Sequence, residues 1–279
     1  MRIFFKKLFE YLTIIPTVIV IFSVCLWIWG TWHDNWSGYS SSQFISDGVC
    51  NIAIVPIVGD ITTLPPTTEE GSGATETNID DVVTRIRQAE SESAIKGMLV
   101  RIDSGGGYPV ASEIVANTLK KSSLPSVGLI REMGASGAYL IATGADVIIA
   151  SPFSDIGSIG VTMSYIGNWK QNADNGLDYV SLKSAEFKDY TNPDKPLTEA
   201  ERKLIERDLK IYHEQFVKEV SENRNMPIEE VAKLADGSSM AGVLALEARL
   251  IDSLGDQETA REWLAKELKM SAEEVVFCE

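Results

Sequence analysis

Residues 97–151, "GMLVRIDSGGGYPVASEIVANTLKKSSLPSVGLIREMGASGAYLIATGADVIIAS", decide the fold. "GMLVRID" (97–103), "SVGLI" (126–130) and "DVIIAS" (146–151) are short apolar runs rich in Val, Ile and Leu and read as strands. Between them lie two helical segments, "PVASEIVANTLKKS" (109–122), which Pro109 can open, and "SGAYLIATGA" (136–145). Strands alternating with helices predict an α/β fold with helices packed on a sheet. Working outward, "VCNIAIVPIVGDI" (49–61) reads as another buried strand, "NIDDVVTRIRQAESE" (78–92) as a helix capped by Asn78, and "GSIGVTMSYI" (157–166) as a further strand. The polar, low-complexity "TTLPPTTEEGSGATET" (62–77) reads as a mobile loop, either plain disorder or a flap beside a groove. The C-terminal third is helical. Its first helix opens with a capping box, Thr198 with Glu201, and repeats Ile205, Leu209, Tyr212, Phe216 and Val220 on one face. Shorter helices follow near 227–235, 241–250 and 257–269.

The N-terminus is of another kind. No charged residue occurs from Tyr11 to Trp32, which is long enough to cross a hydrocarbon core of roughly 30 Å as a helix. Arg2, Lys6 and Lys7 precede this run, and no Lys or Arg follows it until Arg85. The positive-inside rule then puts the N-terminus in the cytoplasm and the body outside the membrane, in the periplasm or extracellular space. A cleaved signal peptide is the alternative, but the apolar run is too long and no small-x-small site precedes Trp27, Trp29 and Trp32. The expected organisation is a cytoplasmic start (1–10), a transmembrane anchor (11–32), a tether (33–48), one large domain (49–270) and a C-terminal tail (271–279). The formal net charge is −15, and beyond the first ten residues 22 basic side chains face 39 acidic ones. Such an acidic body argues against nucleic acid as a partner. Cys25 falls in the apolar run. Cys50 and Cys278 can pair in an oxidising compartment, but two cysteines make no framework, and two free thiols are the reading taken. No Cys/His cluster has zinc spacing, and neither metal nor cofactor is expected.

Two motifs carry possible chemistry. "DSGGG" (103–107) follows a strand and precedes a helix, so its backbone N–H groups can form an oxyanion hole or simply a tight turn. It lacks the Gly-Lys-Ser/Thr of a phosphate loop. Ser136 lies in "EMGASGAY" (132–139) at a strand-to-helix junction, as a nucleophile favoured by the helix dipole or as an N-cap. The two motifs follow strands of one alternating sheet, which would bring them to one edge. "GASGA" is close to the G-x-S-x-G elbow, with Ala138 in place of the last glycine. A histidine base is hard to supply. His33 sits beside the apolar run, and His213 lies inside a helix. A lysine can act instead, provided that it is neutral, which an ordinary lysine at pH 7 is not. Lys170, Lys183, Lys188 and Lys195 are downstream candidates. Lys188 has Phe187 and Tyr190 beside it as a dry wall, but Asp189 next to it works against a neutral amine. Spacing and composition do not choose Lys188 over Lys183.

"VRIDSGGG", "MGASGAYLIATGADVIIASPFSDIGSIGV", "KSAEFKDYTNPDKPLTEAERK" and "ADGSSMAGVLALEARLIDSLG" occur in this order. Together they resemble the serine–lysine peptidases of family S49, of the short, membrane-anchored signal peptide peptidase A type, over roughly residues 49–256. The resemblance implies a ClpP/crotonase-like spiral of ββα units with a helical C-terminal part. It implies Ser136 as nucleophile, Lys188 as general base, and the amides of Gly106 and Gly137 as the oxyanion hole. It further implies ring-like homo-oligomers whose catalytic groups meet at or near subunit interfaces, and peptide substrates such as released signal peptides at the membrane. Gly105 departs from the family's usual proline, which loosens the turn without removing a donor. Two other functions suit the same fold: a catalytically silent oligomeric membrane scaffold, and a crotonase-type enzyme acting on acyl-thioesters.

Overall fold

The computed structural model describes residues 46, 48–63 and 76–278. The expected anchor at 11–32 and most of the loop expected at 62–77 lie outside the described residues. Among the described residues no helix is long and apolar enough to cross a membrane.

The chain runs through β1 (Ile52–Thr62), β2 (Glu76–Asn78), α1 (Ile79–Ser91), β3 (Gly97–Gly107), α2 (Pro109–Lys121), β4 (Ser126–Ala135), α3 (Gly137–Ala142), β5 (Val147–Ala150) and β6 (Asp155–Gly157). After these come α4 (Trp169–Asp174), α5 (Glu199–Asn223), α6 (Ile228–Leu234), β7 (Ser239–Ala241), α7 (Gly242–Glu247), β8 (Ser253–Leu254), α8 (Gln257–Leu268) and β9 (Phe277–Cys278). The sheet order is β2-β1-β3-β4-β5-β8, parallel throughout, with β9 also parallel to β1. β6 pairs with the far end of β4, beyond the reach of β5, and carries β7 antiparallel on its other edge.

Side chains alternate across the central strands, which explains why the strands read as continuous apolar runs. Ala53, Val55, Ile57, Met98, Val100, Ile102, Ile130 and Ile148 face one core, covered by α1, α2, α3 and the end of α5. Ile52, Ile54, Leu99, Val127, Leu129 and Ile149 face the other, closed by Ala260, Leu264 and Ala265 of α8. A parallel sheet covered on both faces needs this pattern. The strands then change register, between Val58 and Asp60 in β1 and between Ile102 and Ser104 in β3. Beyond these irregularities the strand ends carry the two sequence motifs.

The helix starts follow local chemistry. Asn78 accepts from the Asp80 N–H at the head of α1, and Thr198 and Glu201 form the capping box of α5. The apolar face of α5 is not buried evenly. Phe216, Val217 and Val220 are buried, whereas Tyr212 is exposed and Ile205 and Leu209 are half-buried, so within one chain only the second half of the helix meets the core. Tyr139 of α3 is fully buried, and its hydroxyl donates to the Leu250 carbonyl at 2.8 Å. Burial holds its ionisation well above the ordinary tyrosine range.

Four sequence expectations differ from the structure. "DSGGG" (103–107), expected as the loop after a strand, is the end of β3 itself, because Gly106 and Gly107 pair with Asp60 and Ile61 of β1. Cys50 and Cys278, expected as free thiols, form a disulfide with Cα atoms 5.1 Å apart. They are 228 positions apart in sequence, and β9 brings them together by pairing with the start of β1. Residues 272–278, expected within a tail, form a 3-10 turn and this strand. The strand expected at 157–166 ends at Gly157. Its partner β7 is three residues long and pairs only as far as Gly157, and Met163, Tyr165 and Ile166 beyond it are exposed.

Candidate active site

Ser136 is the one residue between β4 and α3. Its φ of 51° and ψ of −125° lie where L-residues are strained. Its surroundings hold it there. The Ser136 N–H donates to the Gly157 carbonyl at 2.7 Å, and its own carbonyl accepts from the Leu140 N–H at 3.1 Å. Ala135 and Gly137 on either side are buried, while Ser136 is half-exposed. An N-cap serine accepts a bond from the first turn of its helix. The Ser136 hydroxyl makes no such bond and no other hydrogen bond among the described residues.

The glycine turn packs directly against this serine. Gly106 has a φ of 109°, and a Cβ there would lie 2.8 Å from the Gly137 nitrogen, 2.9 Å from Ser136 Cβ and 3.0 Å from the Ala135 oxygen. A Cβ on Gly137 would lie 2.2 Å from Ser112 Oγ of α2. Only glycine allows these approaches. Ser104, which sequence reasoning passed over, fixes the turn. It is buried, donates to the Gly59 carbonyl at 2.5 Å and accepts from the Gly106 N–H at 3.0 Å. The Gly106 N–H is therefore already engaged, and an incoming oxyanion must share it. Gly137 is the first residue of α3, so its N–H has no acceptor within the helix.

The four lysine candidates fall on or next to the segment 159–198, which carries many exposed side chains. Three are committed. Lys170 lies over the Trp169 ring, 5.3 Å from its centre. Lys183 pairs with Asp189 at 2.9 Å, which holds it in the charged form and raises its pKa. Lys195 pairs with the buried Glu201. Lys188 is exposed, and its amine makes no hydrogen bond or ion pair among the described residues. The structure thus separates Lys188 from Lys183, which spacing did not. It joins Ser136, Gly106 and Gly137 in one site, but no hydrogen bond links Lys188 to Ser136 within one chain. His213 remains on α5, half-buried and without a bond to Ser136, and His33 lies outside the described residues. Among the described residues, no His, Cys, Asp and Glu side chains group as a metal site.

Fold and site define a class: α/β proteins in which parallel strand ends hold a strained, open serine against a glycine turn, as in serine hydrolases. Known proteins narrow it. The model of peptidase family S49 matches residues 118–271, which include Ser136 and Lys188. The chain belongs to peptidase family S49. It is 31% identical over 189 residues to a Methanocaldococcus jannaschii protein named "Putative protease MJ0651", covering 67% of this chain and 61% of that one. It is 32% identical over 202 residues to an Enterococcus faecium protein named "Putative signal peptide peptidase SppA", covering 71% and 59%. With Protease 4 of Haemophilus influenzae it shares 28% over 208 residues, covering 73% and 32%. The chain thus spans about three fifths of the first two relatives.

Proposed function

We propose that this chain is a membrane-anchored serine endopeptidase that hydrolyses peptides, released signal peptides among them, with Ser136 as nucleophile and Lys188 as general base. The observation that carries this reading is the backbone of Ser136, strained at a strand–helix junction with its half-exposed hydroxyl unbonded among the described residues. Strain of this kind persists only where the surroundings impose it. The matched family supports peptidase chemistry. The name of the Enterococcus faecium relative supports signal peptides as substrates. The parallel sheet, with β6 and β7 off its main path, supports a ClpP/crotonase-like spiral.

In this mechanism the neutral Lys188 amine takes the hydroxyl proton as Ser136 Oγ attacks the peptide carbonyl. The N–H groups of Gly106 and Gly137 hold the oxyanion. Lys188 passes the proton to the departing amine, leaving an acyl-enzyme. Water activated by the same lysine then releases the acid. No cofactor takes part.

Lys188 reaches Ser136 in a ring-like homo-oligomer. The lysine's segment exposes Met163, Ile166, Leu177, Val180 and Leu182, apolar area suited to packing on a neighbouring copy. The charge pattern around 11–32 supports a cytoplasmic N-terminus and an extracytoplasmic body. The Cys50–Cys278 disulfide supports the same side, since such bonds persist in oxidising compartments.

A fluorophosphonate probe tests the reading. The folded protein should be labelled at Ser136, and Ser136→Ala should not. A folded oligomer that stays unlabelled would instead be a silent scaffold, and equal labelling of Ser136→Ala would refute the nucleophile.

A further inference from the structure

Asp189 directly follows Lys188 in sequence, and a carboxylate close to an amine favours the charged ammonium, which is useless as a base. In the structure both carboxylate oxygens are occupied by other groups. One accepts from Ser181 Oγ at 2.6 Å and from the Tyr179 hydroxyl at 3.2 Å. The second accepts from Lys183 Nζ at 2.9 Å. The Tyr179 hydroxyl in turn accepts from Asn192 Nδ2 at 2.9 Å. Short backbone turns, Lys188 N–H to Ala185 O and Asn192 N–H to Asp189 O, fold the segment around this cluster. Ser181 and then Lys183 hold the Asp189 carboxyl far below the usual carboxylate range.

We propose that Lys183, Ser181 and Tyr179 are positioning residues that bind the Asp189 carboxylate and so keep it from pairing with the adjacent Lys188. This rests on Lys188 being the base. It gives Lys183, the first lysine of "SLKSAEFKD", a role of its own, as counter-ion to the carboxylate instead of proton acceptor. Other charged groups near the cluster do not replace it. Glu201 of α5 acts on Lys183 but is itself bound by Lys195. Arg207 of α5 is paired with Asp208 and senses Tyr190. Glu186 lies on the same segment as Lys188 and is exposed.

The experiment is a pH profile of kcat/KM on a peptide substrate, using the full chain in detergent. Lys183→Met frees the carboxylate for Lys188. The rising limb should move to higher pH by on the order of one unit, with about tenfold less activity near neutral pH and recovery at high pH. Lys183→Arg restores a cation and should restore the profile. Adding Asp189→Asn to Lys183→Met removes the carboxylate and should return the limb to its original place. Ser181→Ala should shift the limb in the same direction by less, and it carries the test if Lys183→Met does not fold. An unshifted limb, or a loss uniform across pH that the double variant does not repair, overturns the proposal. Lys188→Ala separates the two ideas: full activity there removes the base assignment itself. An inactive Lys188→Ala beside an unshifted Lys183→Met removes only the positioning role.

Discussion

Gly106 lies so close to Ser136 that a Cβ on the glycine would stand 2.9 Å from the serine's own Cβ. The glycine turn and the serine therefore form one packed unit, and a side chain at 106 must push them apart. Gly106→Ala should lose at least about 100-fold in peptidase rate, the cost of displacing an oxyanion donor. It should also melt at a lower temperature, because its φ of 109° strains any L-residue. Gly105→Ala is the control. A Cβ there meets only Met133 Sδ, at an ordinary 3.5 Å, so melting point and rate should stay close to the parent.

Ser104 ties the same turn to β1 through Gly59 and Gly106. Ser104→Ala leaves the Gly59 carbonyl without this donor and frees the Gly106 N–H. Loss of a buried hydrogen-bond partner costs about 1–3 kcal/mol, readable by denaturant unfolding. The rate should fall about tenfold, because a loosened turn preorganises its donors less well. A faster variant would show that Ser104 competes with substrate for the Gly106 N–H.

Glu201 anchors the start of α5 to the segment that carries Lys188. Lys195 foremost, and then Thr198, hold its carboxyl below the ordinary value of 4.5. A depressed carboxyl contributes stability that is present above its unfolded value and lost as pH falls through the folded one. Stability should therefore hold above about pH 4.5 and decline below it. Glu201→Gln should flatten that part of the profile in thermal melts between pH 3 and 6. An unchanged acid limb in the variant would dismiss this role.

The disulfide closes the described domain from its first strand to its last. Alkylation without reductant should leave Cys50 and Cys278 unmodified, and modification after reduction should reach both. Reduction, or Cys278→Ser, should lower stability by about 2–5 kcal/mol. Equal labelling with and without reductant would show that the pair does not form in solution.

Much of this architecture is written locally. The strands expected at 49–61, 97–103 and 126–130 follow from apolar runs, whereas the extensions of β3 to Gly107 and of β4 to Ala135 run through "DSGGG" and "REMGA", which are not apolar and form strand only by pairing with their neighbours. Asn78, Pro109 and Thr198 start their helices by chemistry confined to one turn. Ser136 and the glycine turn stand out because small residues crowd around a lone serine after a strand. Where an element depends on a distant partner, sequence was silent or misleading. The run 157–166 has the composition of a strand, but among the described residues only Gly157 of it is in a strand.

Sequence by itself determined the alternation of strands and helices, the helix caps, and the two motifs placed at strand ends, because each rests on neighbours within a few residues. Only the tertiary structure decided the rest. It closed Cys50 on Cys278 through β9, pressed Gly106 against Ser136, and bound the Gly106 N–H to Ser104. It also paired Lys183 with Asp189 and left Lys188 without a hydrogen bond or ion pair among the described residues. These are contacts between groups that the chain must fold to bring together, and hydrogen bonds and ion pairs form only at such distances.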